Sequence, residues 1–248
     1  MIAALTYEWR RLWSVRSTWI MSTLYLVLAG LLGALPIYLD KSGPTQSWNG
    51  LYSASSNLLC LILLSVIAAQ SFGHEYRYGL IRLTLTEFPK RDRVFTAKLD
   101  VLGVYYLLMV LAGWSVLGII GATAPDGRVS ANAEGFSMSG AHIPELWKSL
   151  AFGWGYLVIA FAITILTRNL ALGIILPFGV ATLGEQIITA LSSLAKGRMD
   201  WLVHSLPFTN GQAWLSGDSE LAQPGLVYFA WVVGILLLAA IRFHKSDA

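Results

Sequence analysis

The sequence predicts an all-α integral membrane protein. Six transmembrane helices are expected, with an amphipathic helix ahead of the first and a short one between the second and third. Three observations carry this reading. Of 248 residues, 56% are hydrophobic and only 12% are charged, with a mean hydropathy of +0.62; a soluble chain carries about twice that charged fraction. Apolar runs at 19–39, 51–72, 95–121, 147–166, 170–191 and 225–241 each suit a hydrocarbon core that needs about 20 residues. Lysine and arginine are also distributed unevenly between the two ends of those runs.

The N-terminal segment comes first. Leu5, Trp9, Leu12 and Trp13 recur at helical spacing, while Glu8, Arg11 and Ser14 share the opposite side. Such a helix lies in the membrane interface, with tryptophans at headgroup depth and arginines such as Arg10 towards phosphate. It reads equally as an extension of the first span, with Ser17 or Thr18 as a cap where the span begins. The segment is too long and too charged, and the run from Trp19 too extended, for a cleavable signal peptide.

The densest charge follows the second run, in Gly73-His74-Glu75-Tyr76-Arg77-Tyr78-Gly79-Leu80-Ile81-Arg82, and continues through Pro89-Lys90-Arg91-Asp92-Arg93 to Lys98. Tyr78, Ile81, Leu85 and Phe88 fall on one helical stripe. Pro89 should end that helix by removing a donor and clashing with the preceding turn. Arg10, Arg11, Arg16, Arg77, Arg82, Lys90, Arg91, Arg93, Lys98, Arg168, Arg242 and Lys245 lie at one face of the predicted bundle. Lys41, Arg128, Lys148, Lys196 and Arg198 lie at the other. Basic residues resist translocation, so the richer face, with both termini and the 74–93 loop, is expected in the cytoplasm. The same bias accounts for the net charge of +3 without invoking nucleic acid.

The fourth and fifth runs are separated only by Thr167-Arg168-Asn169, which predicts a tight helical hairpin. The outer loop 192–224 is too apolar for a free loop, with Trp201, Leu202, Leu206, Pro207, Phe208 and Trp214. It is expected to fold against the outer membrane surface or to plug the mouth of a pathway. No internal repeat relates the first three runs to the last three, which disfavours a carrier built from inverted repeats.

Chemistry-bearing residues are few. His74, His142, His204 and His244 lie in loops or at span ends, with no metal-ligand spacing to Cys, Asp or Glu. Cys60 is the single cysteine and lies inside an apolar run, so no intramolecular disulfide is possible. Gly135-Phe136-Ser137-Met138-Ser139-Gly140 misses the pattern of a nucleophile elbow, since Ser139 stands where a glycine is required. No phosphate-binding loop of the Gly-x-x-x-x-Gly-Lys-Ser/Thr type occurs, so the chain cannot bind ATP by that route. Ionisable groups inside spans are usually functional, and Glu185, beside Gln186 in the fifth run, is the clearest. Two readings fit Glu185: a cavity-lining or proton-sensitive group on the translocation path, or a carboxylate snorkelling to the outer interface. Pro177, two turns earlier, should kink that helix. Asp100 is expected to pair with Lys98 or Arg93.

Glu75-Tyr76-x-x-Gly79-x-x-Arg82, then Pro89, Arg91 or Arg93, and Lys98 resemble the signature of ABC-2-type permeases, the membrane subunits of bacterial ABC exporters. Glu8-Trp9-Arg10-Arg11-Leu12 and Ser14 to Trp19 resemble the opening of actinobacterial members. Leu176-Pro177 with Glu185, and Leu206-Pro207-Phe208, resemble later family positions. Phe88 ahead of Pro89 departs from the aliphatic residue more usual there.

The resemblance implies a six-span half-transporter in the bacterial cytoplasmic membrane. It would pair with a second permease copy, as a homodimer or heterodimer with spans one and five at the seam, and with two ATPase subunits that bind ATP and Mg. The loop after span two would be the coupling helix, so Glu75, Tyr76, Gly79, Ile81, Arg82, Leu85, Phe88, Pro89 and Arg91 become ATPase-coupling residues. In that role Glu75 and Arg82 hold the loop's shape and Gly79 permits close backbone approach. Glu8, Trp9, Arg10 and Trp13 become the interface helix. A proton-coupled carrier using Glu185 is the alternative. An intramembrane hydrolase is disfavoured, because no histidine lies in a span near a buried serine.

Overall fold

The computed structural model describes residues 2–39, 57–88, 90–123, 143–195, 200–216 and 222–245. Pro89, His142, the Gly135–Gly140 segment, and Lys41, Arg128, Lys196 and Arg198 lie outside them. Every regular element among the described residues is helical: α1 (Ile2–Ser14), α2 (Arg16–Leu39), α3 (Leu58–Tyr78), α4 (Ile81–Glu87), α5 (Arg91–Ala122), α6 (Ile143–Thr167) and α7 (Leu170–Gly179). A π-helical turn (Val180–Gly184) joins α7 to α8 (Glu185–Leu194), and α9 (Asp200–Val203), α10 (Pro207–Ser216) and α11 (Ala222–Lys245) follow. Six of these stretches are long and apolar enough to cross a membrane: α2, α3, α5, α6, α7 with α8, and α11.

Local chemistry explains the boundaries. Asn57 starts α3 by accepting the Leu59 N–H at 3.0 Å. Asn169 starts α7 by accepting those of Ala171 and Leu172. Both satisfy first-turn donors that a helix leaves open. Ser17 and Thr18, expected as caps, lie inside α2 instead, and the Ser17 hydroxyl donates to Gln70 at 2.8 Å. The second span also differs from its predicted range. Nothing between Phe72 and Gly79 breaks a helix, so α3 runs on to Tyr78. The first half of the charged motif is therefore the last turn and a half of a span rather than part of a loop.

The core sits around α6, which is apolar on all faces and packs against α3, α7, α10 and α11. A helix hydrophobic all round belongs in the centre of a bundle. Gly153 lets α5 approach it: a Cβ there would collide with the hydroxyl of Tyr106, which donates to the Leu150 carbonyl at 3.1 Å. Among the described residues of the 192–224 segment lie α9 and α10. Phe208, Asn210 and Gly211 of α10 are buried against the bundle, with Trp214 against Phe229.

Candidate functional site

The charged motif gathers helices at one end of the bundle. Glu75, 2% exposed in the last turn of α3, accepts from Lys98 of α5 at 2.7 Å and pairs with Arg11 of α1. Lys98, 1% exposed, also donates to Glu8 of α1 at 2.7 Å and to the Ser71 carbonyl at 3.1 Å. Its three protons therefore have three acceptors, and its ammonium lies 5.0 Å from the centre of the Phe72 ring. Arg11 completes the cluster, 3.2 Å from Glu8 and 2.7 Å from the Ser71 carbonyl.

Two acids and two bases from three helices cancel in charge. Cancellation matters because an unpaired charge in such a site is strongly destabilising. A cavity of about 40 Å³ beside the cluster is lined by Glu8, Arg11, Gln70, His74 and Lys98, among others, which is room for a water molecule.

Neighbouring residues of the motif bind the remaining helices. Tyr76 carries the Arg168 guanidinium over its ring at 5.7 Å. Arg168 is the one non-glycine residue with positive φ (53°) among the described residues, at the turn joining α6 to α7. Arg91 donates to the carbonyls of Phe243 at 2.9 Å and His244 at 3.3 Å, closing the C-terminal end of α11. His244 lies 2.9 Å from Asp92. Glu75, Tyr76, Arg91 and Lys98 thus touch α1, the α6–α7 turn and α11.

The turn beyond Glu75 is glycine-dependent. Gly79 has φ +66°, and its N–H and that of Leu80 both return to the Glu75 carbonyl. A Cβ at Gly79 would meet nothing within 4 Å. The backbone angle, not the close approach expected from the sequence, is what glycine supplies here.

The expected docking stripe is turned the other way. Ile81 and Thr84 are buried against the bundle, Leu85 is half-buried, and Phe88 packs on Tyr7 of α1 at 5.8 Å between ring centres. The left-handed turn folds α4 back onto the same chain, so its apolar stripe finds an intramolecular partner. Tyr78 alone of that stripe stays exposed, beside Arg77, Leu80, Arg82, Leu83, Thr86 and Glu87, with Leu83 66% exposed.

The polar side of α1 does not turn wholly towards the headgroups: Glu8 is buried and Arg11 points inward. The ion partners of that side lie more than 60 residues away, beyond any local pattern. Trp13 packs edge-on or tilted against other rings, 6.1 Å from Tyr105 and 4.9 Å from Trp19, with Trp9 at 5.8 Å; Arg10 is exposed. Asp100 is exposed and pairs with neither Lys98 nor Arg93 among the described residues.

Glu185 does not snorkel to an exposed position. It is 1% exposed and accepts the N–H groups of Phe208 (2.9 Å) and Thr209, plus the Thr209 hydroxyl at 2.7 Å. Both oxygens are engaged by the first turn of α10. Gln186 is exposed on another face of α8, which removes it from any path shared with Glu185. Thr209 and Arg11 were missed as site residues. The only hint in sequence was the i, i+3 spacing of Glu8 and Arg11.

A family model described as ABC-2 family transporter protein matches residues 4–184. Comparison with curated proteins finds no match. The matched stretch holds all four members of the ion cluster and the turn at Gly79, together with the first four spans and most of the fifth. The chain therefore belongs to the ABC-2 family of transporter proteins, as a multi-pass permease component rather than an ATPase.

Proposed function

We propose that this permease is the membrane half of an ATP-driven exporter, and that the turn from Arg77 to Glu87 is where its ATPase subunit docks. In this reading the charged end of the bundle is cytoplasmic, in a bacterial inner membrane, with both termini on that side. Two ATPase copies bind ATP and Mg, and a second permease copy, identical or related, completes the path. The ion cluster is the observation that carries the proposal. Glu75 and Lys98 lie at the foot of the exposed turn and are tied to α1 through Glu8 and Arg11.

A displacement of the turn then moves α1, α3 and α5 together, because separating any member exposes an uncompensated buried charge. Tyr76 and Arg91 extend the same displacement to the α6–α7 turn and to α11. Tyr78, Leu80 and Leu83 supply the apolar contact and Arg77 and Arg82 the charge, replacing Leu85 and Phe88 in that role. Leu80→Asp with Leu83→Asp puts two charges into a desolvated contact, unfavourable by several kcal/mol. That variant should insert and fold, since both side chains are solvent-facing, yet lose its ATPase on purification. A full complement of ATPase on the double variant would contradict the proposal.

A further inference from the structure

The opposite end of the bundle carries a second device. α10 packs on Phe152 and Tyr228, and Phe152 lies about 24 Å along α6 from Arg168, at 1.5 Å per residue. The open N–H groups of its first turn go to Glu185: Pro207 has none to give, and Phe208 and Thr209 give theirs to that carboxylate, while the Asn210 side chain ties the same turn only to the segment just before it, through the carbonyls of His204 and Leu206. A carboxylate at a helix N-terminus answers both the open donors and the positive end of the dipole.

Glu185 reaches this position because of the π-helical turn before it. Its own N–H goes back five residues, to the Val180 carbonyl. The extra residue keeps Glu185 on the face of Gly173, Pro177 and Ala181, all buried, while Ile187 is exposed. Regularising the turn would swing Glu185 by about 100°, one residue's step around a helix.

The floor beneath α10 is unfinished. Phe208 lies 5.6 Å from the Tyr156 ring, and the Tyr156 hydroxyl is fully buried with no hydrogen-bond partner among the described residues. Seating α10 thus joins a strong polar attachment to an unsatisfied hydroxyl, a combination suited to an element that leaves and returns.

We propose that α10 is a lid over the interior of the bundle, with Glu185 as its latch and the adjacent π turn as the joint that releases it. Glu185 is here a positioning residue: it holds the lid and touches no cargo. The lid hydrates Tyr156 when it lifts. Its role as a gate rests on the exporter reading above, with the α6–α7 turn at Arg168 as the point where span five receives movement from the charged end.

The latch itself can be tested without cargo or ATPase, so its failure is separable from failure of the docking proposal. Amide hydrogen exchange is followed by mass spectrometry on the full chain in lipid nanodiscs. Glu185→Gln keeps the shape but loses the charge, and should speed exchange in 205–216 by about tenfold, with peptides of α3, α6 and α11 unchanged. Thr209→Val should act in the same direction and more weakly. Tyr156→Phe removes the unpaired hydroxyl and should slow exchange in 205–216 or leave it unaltered. Unchanged exchange there in Glu185→Gln would overturn the proposal. Equal acceleration across the whole bundle would overturn it too, by making Glu185 a general support.

Discussion

The ion cluster makes a quantitative prediction. Lys98→Met removes one cation from a site holding Glu8, Glu75 and Arg11, and leaves it with a net negative charge. Glu75→Gln leaves the same site net positive. Each change strands a buried charge, and each should destabilise the fold by about 3–5 kcal/mol. The double variant is neutral again: Glu8 and Arg11 remain, 3.2 Å apart. It should therefore be more stable than the sum of the singles by roughly 1–3 kcal/mol. In thermal unfolding of nanodisc samples each single should lower Tm by about 10 °C, at 2–4 °C per kcal/mol for a chain of this size. The double should fall by clearly less than the two single shifts added together. Transport should stay impaired in the double, because α1 has lost its link to α3 through Lys98. Strictly additive Tm shifts, or singles within 1–2 °C of wild type, would refute the view that these four groups form one charge-balanced unit.

Three further outcomes are expected. Gly79→Ala should destabilise by only about 1 kcal/mol, since the left-handed angle is disfavoured but the added methyl meets nothing; a larger loss in a denaturation scan would mean that the turn is under another constraint. Gly153→Val should be far more damaging, by about 1–3 kcal/mol or more from overpacking, because its side chain enters the space of the Tyr106 hydroxyl; expression by size-exclusion chromatography reads this directly. Lys90→Cys should resist an impermeant thiol reagent added to intact cells and react in inverted vesicles, and labelling from outside would reverse the orientation.

The sequence made the broad plan legible because lipid imposes simple rules on composition and length. Six apolar runs needed no tertiary information, whereas the turn at Gly79 interrupts what the spacing of Tyr78, Ile81, Leu85 and Phe88 reads as one helix. What stayed hidden were pairings between distant segments. Glu8 and Arg11 read as the polar side of an interfacial helix because their partners, Glu75 and Lys98, are far away in the chain. Ile81 and Leu85 read as a docking stripe because periodicity marks a face without saying what covers it. Glu185 reads either as a path residue or as a snorkelling carboxylate because nothing near it in sequence discloses the N-terminus of α10, 23 residues on. Pro177 draws attention to an irregularity in span five, but the π turn itself begins three residues later, at Val180.

The account's central claim is that a separate ATPase meets this chain at the exposed turn beyond Glu75. The direct measurement is cross-linking mass spectrometry on the complex purified from its native membrane through a tag on this chain. An ATPase subunit should co-purify and cross-link to residues within 77–87. A transport-active preparation with no ATPase, or one whose ATPase cross-links only to other regions, would contradict the claim.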